Sequence, residues 1–356
     1  MGSLPAQAPR EFNFGKFDQT PKPRMGGLPY PGLFTAFELA DPRRLGNHAY
    51  DGEWGEPEVI RGIVYTRRGG FIDVAHARKA IDLCKYVQVR AEAALRNDLP
   101  AFQLKSLEPS VFVIRLNYPA FWPTLSAGEK ELLSHELSIR MAQRIAMMMV
   151  TWHEVLTWFG YQSTPIVSER ESSFTYDDTG AHAFGVTVGG RALRSNLEWD
   201  RAVTEEMGRM LTELEVVSPG EAMAAVERVR GAWWSDAGML KRQIETGWDG
   251  PVTPWLMRGV SSGGREAPYR YELPRLESVG GRNFAGLFRM EIQPNVGETD
   301  AMRAVIAGAP AMFDVERDMP SLVAHMRRAE VRQHGEAALR PYREEVRGPF
   351  FANERE

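Results

Sequence analysis

Apolar positions recur every three or four residues along the longest stretches of this chain and alternate along several short ones, a pattern that predicts a helical body with minor β structure. A helix is expected over residues 73–97. Asp73 is a good N-cap, Val74, Ala77, Ile81 and Leu83 follow at helical spacing, and Pro100 fits beyond the end. The next helix has the clearest start, a capping box of Ser126 and Glu129, and its pattern runs to Phe159 before Gly160. Two more are expected, over 196–217 and from the capping box Ser218/Glu221, with Pro219 at the first helical position, to just before Gly231. The segment 173–178, rich in Ser, Thr and Asp, reads as a helix N-terminus or a turn. Alternation over 102–118, divided by Pro109, predicts a hairpin or two short strands. Further strands are expected at 62–65, 269–276 and 287–292, a short helix at 301–306, and a charged helical surface arm at 320–346.

The fold class is therefore mainly α with a small β portion, an α+β protein whose helical body carries short C-terminal strands. Its expected organisation is an extended Pro/Gly-rich arm (1–60), a helical core domain (61–258), a small β-containing extension packed on that core (259–312) and a charged helical tail (313–356).

Composition narrows the picture only a little. With 43% apolar and 25% charged residues over 356 positions, the chain has an ordinary globular make-up. A net charge of −4 argues against a strongly basic nucleic-acid binder, so no nucleic-acid partner is expected. The single cysteine, Cys84, excludes an intramolecular disulfide and a cysteine-based zinc site, and its apolar neighbours suit a small buried hydrophobe. The most apolar stretch, 139–159, is interrupted by Arg140, Gln143, Arg144, His153 and Glu154, so no transmembrane segment is expected. The first residues lack an apolar leader. The chain as it stands is expected to be soluble and cytoplasmic, and exported if a leader has been removed.

The candidate chemistry centres on histidines and carboxylates. Asp73 and His76 stand three residues apart, so both lean to one helix face, as a metal ligand pair or an orienter–base pair requires. Gly69 and Gly70 precede them, with Arg67 and Arg68 beside, an arrangement suited to an anionic group. His153-Glu154 resembles the opening of a His-Glu-x-x-His zinc motif, but Thr157 occupies the position of the second histidine and excludes it. On the same helix Glu136, Arg140, Gln143 and Glu154 form a polar stripe that either faces solvent or lines an internal cleft. His182, in Gly-Ala-His-Ala-Phe-Gly, and His48, in the arm, are further candidates. There is no P-loop, no Gly-x-Ser-x-Gly elbow and no dinucleotide fingerprint, hence no nucleotide cofactor motif.

The blocks Tyr65-Thr66-Arg67-Arg68-Gly69-Gly70-Phe71-Ile72-Asp73-Val74-Ala75-His76 and Thr151-Trp152-His153-Glu154, with looser similarity over 173–185, 231–236 and 241–256, resemble a bacterial family known as domain of unknown function 4056. The resemblance spans roughly residues 25–295 and implies no reaction. It implies that Asp73, His76, His153 and Glu154 meet in space. It also implies export or a lipid anchor for many relatives, which often carry a cysteine in the block where this chain has Arg67.

Two readings follow. In the first, the protein is a metal-dependent hydrolase or lyase acting on an unknown small molecule or protein. A divalent metal such as zinc is held by Asp73, His76 and His153, with Glu154 and Glu136 as catalytic carboxylates. Arg67, Arg68, Gly69, Gly70, His182 and His48 then serve the substrate. In the second, the same groups form a structural hydrogen-bond network in a non-catalytic binding or scaffold protein.

Overall fold

The computed structural model describes residues 12–24, 39–50, 62–106, 108–162, 169–235, 238–257 and 267–341. The remainder of the arm and of the tail, 342–356, lies outside the described residues. The elements in order are β1 (Ile63–Thr66), β2 (Gly70–Asp73), α1 (Val74–Arg96), β3 (Ala101–Lys105), β4 (Ser110–Leu116), α2 (Ala127–Trp158), α3 (Asp178–Ala192), α4 (Trp199–Glu213) and α5 (Pro219–Arg228). Then come β5 (Trp234–Ser235), β6 (Gly238–Met239), β7 (Phe288–Pro294), α6 (Thr299–Arg303), β8 (Phe313–Asp314) and α7 (Val315–His334). The α+β class is as expected, with helices dominant and all strand pairs antiparallel.

Local chemistry explains where the helices start. Asp73 caps α1 by accepting from the amides of Ala75 and His76. Reciprocal capping boxes open α2 at Ser126/Glu129 and α5 at Ser218/Glu221. The central layer is α1, α2 and α3, packed through Ile81, Ala142, Ile145 and Phe184, all fully buried in one core. A smaller aromatic core of Tyr65, Phe71, Tyr176, Trp233 and Trp255 lies under the β1–β2 hairpin.

Helix α3 follows the segment read as a helix N-terminus or a turn, but its course over Asp178–Ala192 was not expected. Its residues are buried almost all round, so no amphipathic period marks it, and its glycines read as breakers. Those glycines are contact points. A Cβ at Gly185 would lie 2.3 Å from the Ala77 carbonyl oxygen on α1, and one at Gly190 would lie 2.2 Å from the Gln143 side chain on α2. Gln143 in turn donates to the Val186 carbonyl.

The sheet has the order β3-β4-β7-β8. The expected strand at 287–292 is thus real and joins the hairpin formed by 101–116. The strand expected at 269–276 is not formed. Only Tyr271 pairs, with Val252, because Pro268 and Pro274 flank it and lack the amide that a ladder needs. The charged helix is α7, which buries Leu322, Val323 and Met326, so it is part of the core and not only a surface arm.

The described parts of the arm lie against α1, α4 and β1. Asp82 is the anchor: it accepts from Arg24 through Oδ2 and faces His48 Nε2 at 2.8 Å through Oδ1. Burial lowers the pKa of His48, partly offset by Asp82, while Arg24 and Arg78 add to the lowering. The unfolded histidine titrates near 6.5, above the folded one. As pH falls through that value the unfolded chain takes up the proton first, so stability is full at higher pH and declines below it. Thermal melts from pH 8 down to pH 5 should show this decline, and His48→Gln should remove that part of the slope.

Candidate metal centre

Three helix segments bring the site together: the start of α1, the last turns of α2 and the start of α3. One donor atom each from His76, Glu154 and His182 lies within 4.8 Å of the other two. Glu154 and His182 are buried, whereas the His76 side chain is 24% exposed. Glu154 Oε2 accepts the Phe174 amide at 3.0 Å. Its Oε1 is buried without a hydrogen-bond partner, 3.9 Å from His182 Nε2. The two imidazoles meet edge to face at 5.4 Å.

More carboxylates flank His76. Its Nδ1 lies 3.3 Å from Asp73 Oδ2 and 3.8 Å from Asp178 Oδ1. Asp178 Oδ2 accepts both the amide and the hydroxyl of Thr175, and that hydroxyl also reaches Asp177 Oδ1. The electrostatics follow from this crowding. Burial alone would lower the His76 pKa, but Asp73, Asp178 and Glu154 raise it to about 10. Burial, reinforced by the charge of Asp73, raises Asp177 to about 7. Burial and Glu154 raise Asp178 well above the usual carboxylate range. His182 goes the other way: burial and the neighbouring His76, Lys79 and His153 charges push it well below 6.5, so it is neutral. A neutral imidazole is what a metal requires.

The residues singled out from sequence divide into those at the cluster and those elsewhere. Asp73, His76, Glu154 and His182 are brought together. His153 sits at the rim, 18% exposed, with Nδ1 2.7 Å from Glu108 Oε1. Lys79 Nζ approaches the same oxygen at 3.2 Å. Burial opposes ionisation of Glu108, but Lys79 and His153 hold its pKa well below the carboxylate range. Thr20 and Pro21 of the arm line a narrow cavity beside Lys79, Ser106 and Glu108.

Glu136 belongs to the surface end of the polar stripe, paired with Arg140 and Arg194. That stripe is both things at once: Glu136 is partly exposed, and Gln143 and Glu154 are buried. His48 is committed to Asp82, inside the arm anchor. Arg67 pairs with Glu221, and Arg68 donates to the Glu213 carbonyl. The Gly69 amide is taken by Thr66 Oγ1. Gly70 has φ +68°, and a Cβ there would lie 2.5 Å from the Trp255 carbonyl oxygen, so this glycine serves the turn and its packing. The turn lies at the far end of β2 from Asp73, roughly 10 Å of strand away.

Sequence reasoning did not single out Asp178, Glu108 or Lys79. Asp178 and His182 stand four residues apart, a spacing that puts both on one face once α3 is known to be a helix.

The fold and site thus define an α+β protein with a His₂Glu cluster between its central helices. The chain belongs to the family described as protein of unknown function (DUF4056), which it matches over residues 9–243. No curated protein and no solved structure matches it. No described helix is long and apolar enough to cross a membrane.

Proposed function

We propose that the protein binds one divalent metal ion, such as zinc, through His76, Glu154 and His182 and uses it in a hydrolase or lyase reaction. The observation that carries this reading is Glu154 Oε1, a buried carboxylate oxygen without a hydrogen-bond partner within common reach of two imidazoles. A buried carboxylate oxygen without a hydrogen-bond partner is costly, and a cation offsets that cost. Two histidines and one glutamate are a donor set of catalytic zinc sites, which keep a position open for water or substrate. A metal there supplies a Lewis acid and brings the pKa of bound water toward about 7.

The chain's own residues supply the rest. The Phe174 amide fixes Glu154 through Oε2, so that Oε1 turns to the cluster. Asp178, anchored by Thr175, has its Oδ1 beside His76, where it serves as a proton acceptor. His153, held by Glu108 on the partly exposed rim, is suited to proton transfer with a leaving group.

The test is metal content by mass spectrometry on protein purified without a histidine tag. About one equivalent of metal per chain is expected. No bound metal, even after incubation with zinc, manganese or iron, would overturn the proposal. The cluster would then be a hydrogen-bond network joining α1, α2 and α3, as in a scaffold protein.

A further inference from the structure

The two oxygens of Asp73 make different contacts. Oδ1 accepts the amides of Ala75 at 2.7 Å and His76 at 3.1 Å, which is the N-cap of α1. Oδ2 faces the His76 ring at Nδ1, 3.3 Å away. Asp73 is 1% exposed, so neither oxygen is free to swing toward solvent. Asp178 is the other carboxylate near Nδ1, but Thr175 holds it through Oδ2, and its Oδ1 stands off at 3.8 Å. A carboxylate facing one ring nitrogen favours the N–H there and leaves the lone pair on the other nitrogen.

We infer that Asp73 is not a ligand. It is a positioning residue that keeps the proton on His76 Nδ1 when the ring gives up its Nε2 proton, and so presents Nε2 to the divalent ion. This inference rests on the metal reading above. It gives one buried side chain two tasks, starting the helix and aiming the ligand that the helix carries. The cap fixes where the ring begins, and Oδ2 fixes which nitrogen faces the ion.

The two tasks separate by substitution. Asn and Ser both cap helices about as well as Asp. In Asp73→Asn, an amide N–H opposite Nδ1 favours the opposite tautomer. In Asp73→Ser, the side chain is too short to hold the ring. Wild type and both variants are titrated with zinc against a chromophoric chelator and melted without zinc. The ring tautomer of His76 is read by long-range ¹H–¹⁵N NMR at saturating zinc. Expected are metal-free melts that stay cooperative but fall below wild type, because His76 loses a carboxylate that raises its pKa, zinc binding weakened about 10- to 100-fold in both variants, and an Nδ1–H ring in the zinc-loaded wild type. Zinc binding by Asp73→Asn and Asp73→Ser as tight as wild type, or an Nε2–H ring in the zinc-loaded wild type, would overturn the inference and leave the metal site standing. A wild type that binds no zinc would remove both. If Asp73→Asn does not fold, Asp73→Ser alone decides.

Discussion

Gly185→Val is expected to be the most destabilising single substitution considered for this protein. Helix α3 crosses α1 so closely that even a methyl group at this position meets the Ala77 carbonyl oxygen at 2.3 Å and Ala80 Cβ at 2.8 Å. The first obstacle is backbone, and it cannot turn aside as a side-chain end can. Relief requires α3 to move away from α1, which opens the core around Ile81 and Phe184. Overpacking a tight core costs about 1–3 kcal/mol and sometimes more, against a gain of at most about 1 kcal/mol from removing a helical glycine. Gly185→Ala should therefore lose about 1–2 kcal/mol, and the bulkier Val substantially more, out of a total of roughly 5–15 kcal/mol. Denaturant midpoints measure this. Gly208→Ala on α4 is the control: open space surrounds its Cβ, so it should gain up to about 1 kcal/mol. If Gly185→Ala proves as stable as wild type, α3 and α1 are not locked together as described.

His182→Ala should abolish stoichiometric metal binding while His153→Ala leaves it in place. Loss of an outer partner weakens a site about 10- to 100-fold, so loss of a ligand should exceed roughly 100-fold. His182 is buried and neutral beside Glu154 Oε1, the state in which an imidazole ligates without first losing a proton. His153 has its Nδ1 against Glu108 and lies outside the three-residue cluster. Equilibrium dialysis of the two variants with zinc, each first shown to melt cooperatively, gives the comparison. Retention by His182→Ala together with loss in His153→Ala would exchange the two residues in the ligand set.

Why His153 drew attention in the sequence and His182 less so has a physical answer. His153 and Glu154 are adjacent, about 100° apart on α2, so they cannot point the same way. Glu154 turns inward to α3, and its neighbour goes to the rim. His182 lay in a glycine-rich segment whose helicity depends on contacts with α1 and α2, which no local pattern records. The capped starts of α1, α2 and α5 were legible because capping chemistry is local. Asp73 and His76 were legible as a pair for the same reason, at three-residue spacing on one helix. Glu108 and Lys79 were not, because they meet His153 only through tertiary folding. The arginine–glycine block at 67–70 invited an anion-binding role; in the fold Arg67 pairs with Glu221, Arg68 donates to the Glu213 carbonyl, and the Gly69 amide donates to Thr66 Oγ1.

The pairing of β4 with β7 bears on how the chain is made. Arg115 on β4 bonds to Glu291 on β7, 176 residues further along. Ribosomes add roughly 5–20 residues per second, so β4 emerges about 9 to 35 s before its partner. Through that interval the β4 edge of the β3–β4 hairpin stays open, with Phe112 and Ile114 lacking their partners Ile292 and Met290 on the later strand. An open, apolar strand edge is a template for wrong partners. Sequence separation of this size also slows closure of the sheet, because loop entropy is lost before the contact forms. Nascent chains of this protein are therefore expected to depend on holding factors until about residue 314 has cleared the ribosome, when β8 completes the sheet.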